Sequence, residues 1–400
     1  MNIIVTSGYE ANYVLGFAKG LAANGVEIYV DSSDETAGLL DAAGIPNGNL
    51  RRSVAENRPP WQKLVTLCGY YARLMLLLWR NRGATVHFIG SFRDELLLWE
   101  GILLNLWVRV TAGRYLYTVH NVLPHRYRES RTFRLIYRWI YAIPDRLLVH
   151  TGLGREQLIR EFGVPEEKIQ ITSIGLNEEV PQSGLTTAQA RERLGVGTED
   201  SCILFFGRII EYKGLDLLLS AFDMLPNSNV SLIIAGVFRS RPYRSKILAQ
   251  LDGMARRCQV RLHDRFIPNE EVEVFFKAST LLCLPYRHIC QSGIAFLGPA
   301  FGVPMVTSDA GALREFVDGK LGVVYRGGDA ASLAEALCTV MREPDRFSRS
   351  AILENGRKYS WKEVCRELVP LYNAVPSRAA QPVVAPASEQ AARAFSSERL

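Results

Sequence analysis

Ile203-Leu204-Phe205-Phe206-Gly207-Arg208-Ile209-Ile210-Glu211-Tyr212-Lys213-Gly214-Leu215-Asp216 sets an apolar strand before a helix, with a glycine, an arginine and a lysine between them. Residues 202–206 read as a buried strand, and Leu215, Leu218, Leu219 and Phe222 repeat at helical spacing. In open parallel sheets, ligands collect at the carboxyl ends of strands. Free amides and the macrodipole at the helix start that follows favour an anion there. Arg208 brings a planar fork and Lys213 a point charge, so the stretch predicts a diphosphate site. The plainer alternative is two solvated surface charges flanking a buried strand.

Outward from this stretch, strand and helix signals alternate along the chain, the pattern of an α/β protein with parallel sheets. Predicted strands in the first half are 2–6, 26–30, 85–89, 115–119, 146–150 and 169–173. In the second half they are 202–206, 230–235, 259–262, 280–284, 304–307 and 322–325. Between them Pro181, Gly184, Gly195 and Gly197 dilute the apolar pattern. The expected layout is a Rossmann-like domain over 1–176, a linker over 177–200, a second Rossmann-like domain over 201–360 and a closing helix over 361–374. That helix would carry Trp361, Val364, Leu368 and Tyr372 on one side. Residues 375–400, rich in Ala, Pro, Ser and Gln, are expected to be a disordered tail.

Composition narrows the class. The 400 residues are ample for two domains, and 48% hydrophobic with 22% charged residues suits a globular enzyme. A net charge of +6 is too modest for a nucleic-acid footprint. Seven scattered cysteines with no CxxC pair argue for reduced thiols and against a disulfide framework or zinc site. Met1-Asn2 leads straight into a strand, which reads as no signal peptide. The most apolar run, Leu96 to Val108, is broken by Glu100 and Asn105 and is too short to span a bilayer. The chain reads as cytoplasmic, with at most a peripheral contact on the inner face of the membrane.

Two further features bear on function. Leu281-Leu282-Cys283-Leu284-Pro285-Tyr286 is a buried strand, and Gln291-Ser292-Gly293 opens the next helix. Ser292 suits an N-cap and Gly293 admits close backbone approach, so this helix start is a second candidate phosphate cradle, or simply a capped helix. In the first half no acid occurs between Asn57 and Arg93, while six basic residues gather around Leu74 to Trp79. Arg131, Arg134 and Arg138 share one face of another helix whose other sides are aromatic and aliphatic. Such helices fit an anionic membrane surface; alternatively their apolar faces pack on the sheet.

The elements Gly207-Arg208…Lys213-Gly214, Pro285-Tyr286, Gly293, Gly302-Val303-Pro304 and Asp309-Ala310-Gly311…Glu315 resemble, in order and spacing, the donor-binding half of glycosyltransferase family four. The resemblance covers about residues 1–374, less specifically in the first half. It implies a GT-B fold, two Rossmann-like domains facing across a cleft, and retaining sugar transfer from a nucleoside diphosphate sugar. No cofactor and no metal are implied. Carried over, Arg208, Lys213 and His120 form the catalytic set. Gly207, Ile267, Gln291, Ser292 and Gly293 bind the donor, with the base near Phe266-Ile267-Pro268. Ser7, Gly8 and His125 are assigned to the acceptor side. A glycan or lipid-linked glycan is the expected acceptor, with a role in surface or exopolysaccharide synthesis.

The chain departs from the family where many members carry two glutamates eight positions apart: Ile289 and Leu297 stand there, and no acid lies between Glu273 and Asp309. Tyr286-Arg287…Gln291-Ser292-Gly293 resembles a subgroup without that pair, leaving sugar and ribose contacts to Gln291, Ser292 or His288 and to backbone amides, with donor identity open. The alternatives within this fold are a sugar-nucleotide epimerase and a non-catalytic sugar-nucleotide-binding subunit.

Overall fold

Strands that are apolar on both faces belong in parallel sheets covered on both sides, and both halves of the chain are built that way. The computed structural model describes residues 1–52, 59–90, 92, 96–123, 130–226, 229–288 and 292–373. The first sheet has seven strands: β1 (Asn2–Val5), β2 (Ile28–Asp31), β3 (Asn47–Gly48), β4 (Thr85–Phe88), β5 (Arg114–Val119), β6 (Arg146–Val149) and β7 (Ile169–Ile171). Their order is β3-β2-β1-β4-β5-β6-β7. The second sheet holds β8 (Ser201–Phe206), β9 (Val230–Gly236), β10 (Val260–Asp264), β11 (Leu281–Leu284), β12 (Met305–Ser308) and β13 (Gly322–Tyr325), ordered β10-β9-β8-β11-β12-β13. Every pairing is parallel.

In each sheet the chain reverses its direction of travel once, between β1 and β4 and between β8 and β11. These are the points where an open α/β sheet leaves a crevice at its carboxyl edge. They place Ser7-Gly8 at one crevice and Gly207 at the other.

Alternation along the strands splits the first domain's core into two faces. Ile3 and Val5 join one cluster, and Ile4 joins the other with helix Ala11–Ala23. That second cluster also contains Trp361, Val364, Cys365, Leu368 and Tyr372. The last segment, two short helices Trp361–Arg366 and Val369–Asn373 rather than one, therefore crosses back to complete the first domain. The stretch read as linker, 177–200, is more than that: it forms helix Thr187–Leu194, and Val180, Leu185, Ala190 and Val196 are buried in the second domain's core. Its glycines bound a helix, with Gly195 in the left-handed C-cap conformation. The expectation for the tail lies outside the described residues.

Candidate active site

At the second domain's crevice β8 ends on Gly207, whose φ of +100° suits glycine. A Cβ there would collide with Ile294 Cδ1 and come within 3.3 Å of Lys213 Nζ. Lys213 ends a short 3₁₀ turn, Glu211–Lys213, and Gly214 follows in the left-handed region pressed against the Pro285 carbonyl, where no side chain fits. This tight turn swings the lysine inward. Lys213 is only 5% exposed and its ammonium lies 5.2 Å from the centre of the Tyr286 ring. Burial, and then the neighbouring Arg208, push it down to about 8. Arg208 itself is exposed at the crevice mouth.

The turn is held from behind. Arg287 donates to both Asp216 oxygens at 2.9 Å and to the Glu211 carbonyl at 2.6 Å, while its own N–H donates to the Tyr212 carbonyl at 2.7 Å. Asp216 also accepts from Tyr243 and Lys246, and these donors hold its carboxyl below its ordinary value even though burial opposes them. Arg287 thus works as a strut, fixing where Lys213 points.

Ser292 and Gly293 meet this turn from β11's side. Ser292 occupies the N-cap position of the 3₁₀ turn Gly293–Phe296, but its hydroxyl makes no capping bond and lies 3.3 Å from the Tyr286 hydroxyl instead. The expected regular helix begins as this 3₁₀ turn and becomes α-helical only over Leu297–Ala300. Nothing lies within 4 Å of a Cβ built on Gly293, so its backbone is open to the cleft. Ile267 does not face the cleft with its side chain; it is buried in the second core, and the neighbour that projects is Phe266, 75% exposed. Gln291 and His125 lie outside the described residues. Leu297, at one of the missing-glutamate positions, is a core residue.

A cavity runs between the two domains. Tyr9, Glu10, Tyr13, His120 and Asn121 line it from the first domain, and Gly293 and Phe296 from the second. His120 is stacked on Tyr9, ring centres 4.2 Å apart. Its Nε2 is 2.7 Å from the Ile89 carbonyl, and its Nδ1 is 3.3 Å from Nε2 of His150, whose Nδ1 faces the Thr172 carbonyl at 3.0 Å. Burial pushes His120 to about 3 and His150 to about 4, so both rings are neutral near pH 7. His150 and Tyr9 carried no local signal in the sequence; they join the site because β1, β5 and β6 end on the same edge of the sheet.

Ser7 and Gly8 form a turn with positive φ, +50° and +72°, after β1. The buried Arg51 guanidinium packs against Gly8, 2.7 Å from where a Cβ would stand, and donates a long bond of 3.4 Å to Ser7 Oγ. Beneath lies Asp31, fully buried, bonded to Tyr70 at 2.9 Å and raised to about 7 by burial. Its Oδ1 has no described partner.

Two Rossmann-like parallel sheets with their carboxyl-edge crevices at a shared cleft make the GT-B fold. A crystal structure of Anabaena Alr3699/HepE in complex with UDP superposes with a TM-score of 0.69 at 15% identity, covering 92% of this chain and 98% of that one. WaaG, a glycosyltransferase involved in lipopolysaccharide biosynthesis, gives 0.60 at 15% identity over 94% and 100%. Residues 186–359 match the family Glycosyl transferases group 1 and residues 11–180 match Glycosyltransferase Family 4, so the chain belongs to the group 1 glycosyltransferases of family four. Curated relatives include a D-inositol 3-phosphate glycosyltransferase of Corynebacterium glutamicum, 25% identical over 92% of each chain. The Mycolicibacterium smegmatis protein of the same name is 31% identical over 64% of this chain and 58% of its own length. The match likewise spans 58% of the length of the relatives from Xylanimonas cellulosilytica and Catenulispora acidiphila.

Proposed function

We propose that this protein transfers a hexose, with retention, from a nucleoside diphosphate sugar to a hydroxyl of a glycan or lipid-linked glycan. The observation that carries the reading is the buried Lys213 ammonium beside Gly207 at the second domain's crevice, where Ile294 packs against Gly207 and its neighbour Gly293 lines the cavity that Tyr9 and His120 line from the first domain. A lysine that desolvated is stabilised by an anion, and the Arg208 fork at the rim supplies a second contact to the same diphosphate. The exposed backbone of Gly293, in the turn that follows the neighbouring strand β11, adds an amide donor.

In this mechanism the two cations and the amides take up charge on the departing diphosphate as the glycosidic bond breaks. The acceptor hydroxyl enters on that same face over Ser7-Gly8, and its proton passes to the leaving phosphate oxygen. His120, neutral and held by the Ile89 carbonyl, forms the wall of the sugar pocket. The carboxylate on the second domain's side of the cleft, Glu315, is occupied by backbone amides of the first domain, so no glycosidase-like pair is invoked.

A second acceptor class is favoured by Arg51 together with the relatives' name. A buried guanidinium whose one described hydrogen bond is 3.4 Å long suits a phosphorylated polyol such as D-inositol 3-phosphate. A donor panel of UDP, GDP and ADP sugars, offered with a lipid-linked glycan extract or with D-inositol 3-phosphate, tests both. Transfer to one acceptor selects it, and no hydrolysis or transfer from any donor by folded protein overturns the function. Arg208→Ala and Lys213→Ala should each lower turnover by about a hundredfold or more without lowering the melting temperature.

A further inference from the structure

Helix Pro60–Arg80 turns its Tyr70, Leu74, Leu77 and Leu78 into the first domain's core. Its outward stripe is also apolar: Trp61, Val65, Cys68, Ala72, Leu76 and Trp79, at spacings of three and four, are all exposed. A stripe from Trp61 to Trp79 runs roughly 27 Å along the helix. The next helical segments, Trp99–Leu104 and Asn105–Thr111, repeat the pattern outward with Trp99, Leu103, Leu106 and Val110. Helix Arg131–Ala142 adds Leu135 and Trp139, the latter 66% exposed.

These helices lie side by side. Trp79 stacks on Trp107 at 5.8 Å, Trp99 meets Tyr71 edge-on at 5.8 Å, and Asn105 Nδ2 donates to the Ile140 carbonyl at 3.2 Å. Their outward stripes therefore form one apolar face, carrying four of the chain's six tryptophans. A monomer rarely leaves so large an apolar patch uncovered.

The charge on the same helices selects the occupant. Pro60–Arg80 and Arg131–Ala142 contain no Asp or Glu. The single acid of Trp99–Thr111, Glu100, is 1% exposed and turned inward against the Tyr71 hydroxyl. Lys63, Arg80, Arg82 and Arg131 flank the stripes and are exposed, Arg82 covers the Trp79 ring at 4.2 Å, and the exposed Arg134 and Arg138 are tied to the neighbouring helix, Arg134 to Glu161 at 3.2 Å and Arg138 to the Phe162 carbonyl at 3.3 Å. A second copy docked on this face would bring cations against cations. A surface of anionic headgroups over acyl chains satisfies both features: tryptophans and leucines enter the interface, and arginines reach up to phosphates.

We propose that this face of the first domain docks on an anionic phospholipid bilayer, the three helices lying in its plane. Midway along the docked helix, Tyr70 reaches Asp31 beneath the Ser7-Gly8 turn, so the surface places the acceptor-side crevice beside the lipid. Docking needs no donor, and it stands or falls separately from the sugar-transfer reading.

Flotation of the full chain with phosphatidylcholine vesicles, with and without phosphatidylglycerol, tests it. Binding should require the anionic lipid, weaken with added salt, and fall about tenfold in the exposed-site variants Leu103→Ser and Trp139→Ser. Quenching of the wild-type tryptophans by lipids brominated on the acyl chain gives an independent readout should either variant fail to fold. Wild-type protein that stays unbound at low salt, or unquenched tryptophans, overturns the proposal. So does a stable dimer that leaves vesicles alone and that Trp139→Ser converts to monomer.

Discussion

Burial holds the Lys213 ammonium at about 8, and Arg208 works in the same direction. If protonated Lys213 grips the diphosphate, nucleoside diphosphate affinity is full below pH 8 and weakens above it, approaching about tenfold per pH unit. Titration calorimetry from neutral to alkaline pH measures this, and Lys213→Ala should bind weakly at every pH with that limb flattened. An unchanged alkaline limb in the variant would place the titration elsewhere. The sign for stability is opposite. With a folded value near 8 against 10.5 in the unfolded chain, the unfolded state holds the extra proton between these values, so the ligand-free protein gains stability as pH rises through that window. At this scale the sequence exposed Gly207, Arg208 and Lys213, because glycine and cations at a strand end have a backbone and charge logic. It did not show that Ile267 turns its side chain inward and Phe266 outward, because which of the two is buried depends on the packing of helix and sheet, which no local spacing encodes.

At the carboxyl edge of the first sheet, β4 carries His87, and His120 and His150 follow β5 and β6. Burial pushes His87 and His120 to about 3 and His150 to about 4. For bases whose folded values lie below the unfolded 6.5, the unfolded chain binds the additional protons. Stability is therefore full above about 6.5 and is lost as pH falls toward the folded values. Each proton costs about 1.4 kcal/mol per pH unit, up to about 4 for the three together. The order of uptake also follows from geometry. His87 faces the Tyr372 and Thr118 hydroxyls, which donate or accept as needed. The neutral His120–His150 pair has two N–H protons for three contacts, so one added proton completes it and this pair titrates first. Urea unfolding between neutral and mildly acid pH should show the loss, with His150→Asn reducing its slope; a midpoint constant across that range would refute it. The strands that carry these residues were legible as apolar runs nearly to their ends. The edge strand β3 was not, since two residues, Asn47 and Gly48, have no periodicity to read.

Across the whole molecule the chain passes between domains twice, near Gly175–Asn177 and near Ser360–Trp361. The crossings touch, with the Leu176 N–H donating to the Tyr359 carbonyl at 2.8 Å. Trp361 fills the space left by Gly16 and Gly175, where any Cβ would strike its indole. The pairing of a tryptophan near the end of the fold with two glycines far away in sequence could not be read from any local window. On the other side of the cleft Glu315, from the second domain, accepts the Gly152 and Leu153 N–H groups at 2.7 and 3.2 Å, capping helix Gly152–Phe162 of the first. A hinge at the double crossing and a carboxylate on a helix N-terminus across the cleft together make a clasp. An exposed cap of this kind contributes about 1 kcal/mol, enough to shift the ratio of closed to open molecules about fivefold. Glu315→Ala should therefore raise the radius of gyration of the ligand-free protein in solution scattering and weaken donor binding by a similar factor. Its melting temperature should stay close to wild type, because neither core loses a residue. Trp361→Ala provides the contrast: it empties a packed site and should cost about 3–5 kcal/mol of stability. Identical scattering curves for wild type and Glu315→Ala, with equal donor affinity, would reduce the clasp to a local helix cap.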